Sequence, residues 1–132
     1  MKRLLSLLFA LFVPTAASAA VPRDPAVVFN TAKAWLVLLD HSDYQSSWKQ
    51  ADASLQARLP LDQWRTTVET MRRPRGALIM REVTAYNFKT VTPDTTAATV
   101  QFRSQFERSL SKEVVTLLLQ DERWRPSEYS LR

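Results

Sequence analysis

Gly76 is the only glycine in the chain, and it stands where the hydrophobic period changes. Before it, apolar residues recur at helical spacing. After it, they alternate, or cluster as β-branched and aromatic runs. Helices that all precede the strands supply no crossover with which to build a parallel sheet. The chain is therefore expected to be α+β: three N-terminal helices packed on one face of a four-stranded antiparallel meander.

The helical half spans residues 24 to 73. Asp24-Pro25 predicts a helix start, with Asp as N-cap and Pro at the first helical position. Val28, Ala32, Trp35, Leu36 and Leu39 share one face of the helix that follows. Asp40-His41-Ser42-Asp43 interrupts it, and Ser42 with Gln45 reads as a capping box opening a second helix. That helix carries Tyr44, Trp48 and Ala51, and Leu55 and Leu59 extend its stripe to Pro60. Leu61, Trp64, Val68 and Met71 define a third helix, stopped by Pro74. Trp35, Trp48 and Trp64 fall one per helix as core anchors, unless one lines a pocket.

In the strand half, Ala77 to Val91 reads as one long or bent strand, and Thr92-Pro93-Asp94-Thr95 as a turn. Val100, Phe102, Ser104 and Phe106 alternate with polar residues, as in a half-buried strand. Ser109 to Lys112 reads as a turn. Val114 to Leu119 is apolar on both faces and is expected to be the most buried strand. After Asp121-Glu122, the last strand runs from Arg123 to Leu131. Its phase slips between Pro126 and Tyr129, which predicts a bulge there.

Residues 1–19 read as an export signal. Lys2 and Arg3 precede the ten-residue apolar run Leu4–Val13, and Ala17-Ser18-Ala19 fits a cleavage site after Ala19. A run of ten is too short to span a ~30 Å hydrocarbon core. A single domain over residues 20–132, exported to the periplasm or secreted, is the expectation. Losing Lys2 and Arg3 lowers the formal charge from +5 to +3, too little for a nucleic-acid stripe. No second run of about 18 apolar residues follows, so no other span is expected. With no cysteine and one histidine, thiol chemistry, disulfides and the common zinc sites are excluded, and no metal or cofactor is implied. One glycine leaves no phosphate-cradling loop.

Several segments together resemble a known family. They are Ala34-Trp35-Leu36 through Leu39-Asp40, Asp43-Tyr44, Ser47-Trp48, Gln63-Trp64, Arg72 to Gly76, Glu113 to Leu117, Trp124-Arg125, Tyr129 and Leu131-Arg132. The chain is similar to domain of unknown function 4019, small exported bacterial proteins without an assigned activity. The resemblance implies a cystatin-like or NTF2-like α+β fold, in which a curved four-stranded sheet wraps the helices, and no mechanism. Where the family often carries glycines before the Trp and the Tyr of the last hairpin, this chain has Arg123 and Glu128.

Three groups could carry chemistry. Asp40, His41 and Tyr44, with Asp43, form the densest titratable cluster, in which Asp or His could act as base and Tyr as proton donor. The alternative is a solvated turn between helices. Arg72, Arg73, Arg75 and Arg81 could hold an anion, or could serve the negative end of a helix dipole. Trp48, Tyr86, Phe102 and Trp124, with Phe88 and Phe106, could line a pocket for an apolar ligand or fill an ordinary core. The leading expectation is a module that binds a small molecule or an envelope protein. A small enzyme of the NTF2-like type, an isomerase or hydrolase using Asp40 and Tyr44, is the alternative, and self-association through edge strands is a third.

Overall fold

The computed structural model describes residues 23–132. The expected export signal and its cleavage site lie outside the described residues.

Helix α1 (Pro25–Asp40) begins as its sequence dictates, with the Asp24 carboxylate accepting a 2.9 Å hydrogen bond from the Ala26 amide. Its buried face is Val28, Ala32, Trp35, Leu36 and Leu39. The next segment is not one helix but two, α2 (Tyr44–Gln50) and α3 (Ala53–Arg58). The cause is Asp52, which caps α3 by accepting from the Ser54 amide and whose own amide is drawn to the Pro126 carbonyl at 2.7 Å. The cap of α2 is Asp43, accepting from the Ser46 amide, and not Ser42, which takes a positive φ of 58° in the preceding turn. Helix α4 (Leu61–Arg72) buries Trp64 and Val68, and a 3-10 turn at Arg73–Arg75 follows.

Gly76 then redirects the chain with φ 78° and ψ −161°, a region open in practice only to glycine. A Cβ there would stand 3.0 Å from the Cβ of Glu107. The tight approach has a purpose, because the 107–108 turn clasps this exit: the Arg108 amide donates to the Arg75 carbonyl and the Glu107 amide to the Ala77 carbonyl, each at 2.9 Å.

Four strands follow, β1 (Leu78–Thr92), β2 (Thr95–Phe106), β3 (Leu110–Gln120) and β4 (Arg123–Leu131). They form one antiparallel sheet in sequence order. Strand β3 starts earlier than expected: Leu110 and Lys112 are already paired with Gln105 and Arg103, so the turn is confined to residues 107–109. Val115 and Leu117 are buried, but Val114 and Leu118 lie half-buried on the opposite face. The predicted bulge is present. Thr116 pairs with Glu128 and Leu117 with Pro126, leaving Ser127 as the extra residue.

All helices pack on the face presented by Ala98, Val100, Phe102, Val115, Leu117 and Trp124. Trp35 and Trp64 are about 2% exposed and their rings lie 5.7 Å apart; Trp48 is half-buried at the margin. Each indole N–H is satisfied: Trp35 donates to the Ser47 carbonyl, Trp64 to the Ser47 hydroxyl, and Trp48 to the Leu59 carbonyl. Removing indoles from water without stranding a donor is what makes them usable as anchors.

Candidate functional site

The end of α1, the end of α4 and all four strands converge on one buried cluster of charge. At its centre is Glu113, which has no exposed surface. It sits on β3 in phase with Val115 and Leu117, so the alternation that buries those residues buries it as well. Its Oε1 accepts from the Ser104 hydroxyl at 2.6 Å and from Arg81 Nε at 2.8 Å. Its Oε2 accepts from the Tyr129 hydroxyl at 2.6 Å and from Arg72 Nη1 at 3.0 Å.

Asp40 closes the other side. Arg81 grips it bidentately, Nη1 to Oδ2 and Nη2 to Oδ1, both at 2.9 Å, and Arg72 Nη2 also donates to Oδ1. Two carboxylates and two guanidiniums thus alternate in a neutral ring. The side chains are between 0% and 14% exposed. Removing such charges from water costs several kcal/mol per ion, and the penalty is offset only when geometry is good and every lone pair is used. Here every carboxylate oxygen has a donor.

Aromatic packing fixes the geometry. Tyr129 stands edge-on to Trp35 and Trp64, with centroids 6.0 and 6.4 Å away, and this aims its hydroxyl at Glu113. The Arg72 guanidinium lies 5.3 Å from the Phe106 ring centroid. Burial, and then the adjacent Glu113 charge, push the Tyr129 phenol well above its ordinary value. Burial works against the charges of Arg72 and Arg81. The surrounding partners (Tyr129, Glu113 and Asp40 for Arg72; Asp40 and Glu113 for Arg81) more than offset it, so both pKa values are raised.

The three candidate groups are divided by the fold. Asp40 belongs to the ring, while His41 is exposed, with Nδ1 3.0 Å from the Val37 carbonyl. Asp40 and Tyr44 both line an open cleft of about 330 Å³, together with Glu69, Arg72 and Arg73. Of the arginines, Arg72 and Arg81 are spent on carboxylates. Arg73 is exposed and reaches Glu69 at 3.4 Å, and Arg75 donates to the Ser111 hydroxyl and the Met71 carbonyl.

The aromatic candidates do not converge. Phe102 is fully buried in the core, Trp48 is at the α2–α3 margin, and Trp124 lines a shallow groove with Asn30 and Ala34. Tyr86 is 50% exposed and continues a row from Phe29 through Phe88 to Trp124.

Sequence reasoning missed Glu113, Ser104 and Tyr129, which join Asp40 in one cluster through Arg72 and Arg81. One signal was available: Glu113 is a charged residue at an inward position of an otherwise apolar strand, and such a residue needs a buried partner. Among the described residues, no three His, Cys, Asp or Glu side chains group as metal ligands, and no helix is long and apolar enough to cross a membrane.

A family model described as a protein of unknown function, DUF4019, matches residues 31–129, which takes in every member of the ring. No curated protein matches the chain.

Proposed function

Because the chain belongs to the DUF4019 family, whose description assigns no activity, we propose a function from its own geometry: an exported module that binds a ligand and catalyses nothing. The observation that carries this reading is the pairing within the charged ring, where each carboxylate oxygen already accepts from an arginine. A general base needs a free lone pair within reach of a substrate proton. Glu113 has neither free lone pair nor surface, and Asp40 is committed to two arginines. The ring serves instead as a brace that ties α1 and α4 to the sheet.

The binding surface in this reading is the open cleft beside the brace. Its rim offers both signs of charge in Arg73 and Glu69, and the ring of Tyr44. A small polar molecule, or a charged segment of an envelope protein, suits such a lining. A cystatin-like or NTF2-like assignment of the fold goes with the proposal, supported by helices on one face of a four-stranded meander.

A second reading keeps a small isomerase or hydrolase, favoured by Asp40 and Tyr44 sharing that cleft. Thermal-shift screening against lipids, peptidoglycan fragments and envelope proteins separates the two. The binding reading expects a hit that raises the melting temperature, is lost in Arg73→Glu and Tyr44→Ala, and is returned chemically unchanged. Conversion of the hit, abolished by Asp40→Asn in a folded protein, would establish the enzyme instead.

A further inference from the structure

The two edges of the sheet are treated differently. The β4 edge is occupied at its bulge by α3: the Asp52 amide donates to the Pro126 carbonyl and Arg58 Nη2 to the Ser127 carbonyl, both at 2.7 Å. The β1 edge is fifteen residues long, and eleven of them are exposed. Among the described residues no other element bonds to its outer side. A long open edge is a template for another strand, and proteins normally block one with charges or a bulge. Strand β1 carries both, Glu82 and Lys89 and a bulge at Thr84, where Val83 pairs with Phe102 and Ala85 with Gln101.

Pairing with β2 sets the facing of each β1 residue. Val83, Tyr86 and Phe88 lie opposite Phe102, Val100 and Ala98, on the helix side. Glu82 and Lys89 lie opposite Arg103 and Ala97, on the outer side. Because Thr84 is an extra residue, Glu82 and Lys89 share a face although seven positions apart.

We propose that β1 pairs antiparallel with β1 of a second copy about a two-fold axis at Tyr86, joining two sheets into one of eight strands. Tyr86 meets its own copy at the axis. Beyond the Thr84 bulges of the two copies, Val83 lies opposite Phe88 and Glu82 opposite Lys89, each pair occurring twice by symmetry. Every opposed pair shares a face, as antiparallel strands require. The features that would repel a foreign strand become complementary in this register. Tyr86, the side chain at the axis, is half exposed in the single copy. Moving the axis by one residue, to Asn87, would set Glu82 against Val91 and Lys89 against Ala85 and lose both ion pairs. The occupant that fits this edge is therefore the chain itself.

Sedimentation of the purified chain over a range of concentration tests this. The wild type is expected to show a monomer–dimer equilibrium. Glu82→Lys and Lys89→Glu should each weaken it by about tenfold or more, because like charges then face one another twice. The double variant with both reversals should regain the dimer, and an equimolar mixture of the two single variants should form a heterodimer. Circular dichroism of each variant verifies folding. A wild type that stays monomeric at millimolar concentration overturns the proposal, and so does a dimer indifferent to both single reversals.

Discussion

The Tyr129 hydroxyl donates a 2.6 Å hydrogen bond to a Glu113 carboxylate that has no exposed surface. Burial and the Glu113 charge raise the Tyr129 pKa above the ordinary value of 10.0. In the unfolded chain the phenol ionises near that ordinary value, whereas in the native protein it stays protonated. The stabilisation is complete below pH ~10 and is lost as pH rises beyond it, because the unfolded state then binds fewer protons. Urea unfolding between pH ~10 and pH ~12 should show stability falling more steeply with pH in the wild type than in Tyr129→Phe. Equal slopes would mean that the phenol is not held protonated.

Gly76 joins the helical half to the sheet in a backbone region that other residues enter only under strain. Gly76→Ala adds that strain to a 3.0 Å contact with Glu107 Cβ. A loss of about 1–3 kcal/mol is expected in urea unfolding. An unchanged midpoint would show that the 107–108 clasp yields freely.

Much of this architecture was legible in the sequence because it is encoded locally. Asp24-Pro25 carries its own cap, the apolar stripe of α1 its own period, and the phase slip after Pro126 its own bulge. What was not legible depends on distant partners. Asp52 splits the second helix because its amide bonds to Pro126, a strand away in space and far along the chain. The stripe from Trp48 to Leu59 runs across that break without a mark. Asp40 looked like the start of a solvated turn, since its partners Arg72 and Arg81 are supplied by other elements. A four-residue arginine cluster likewise gives no hint that two members turn inward to carboxylates while Arg73 stays in water.

Asp121 and Glu122, the two turn residues between β3 and β4, have φ of 50° and 62°. This is the primed-turn geometry that fits strand twist, and aspartate tolerates it far better than glutamate. Glu122→Gly should raise stability by about 0.5–1 kcal/mol after allowing for the greater freedom of glycine in the unfolded chain. The shift in melting temperature checks it, and a decrease would show that the Glu122 side chain makes a compensating contribution.

In the proposed function, the ring of Asp40, Arg72, Arg81 and Glu113 braces the fold. Catalytic charges are held against stability, so neutralising one commonly stabilises an enzyme. A brace behaves in the opposite way, because removing one charge strands its buried partners. The deciding measurement is the unfolding free energy of Asp40→Asn and Glu113→Gln beside the wild type. The brace predicts a loss of about 3–5 kcal/mol for Glu113→Gln and a smaller loss for the more exposed Asp40. A gain in stability in either variant would contradict it.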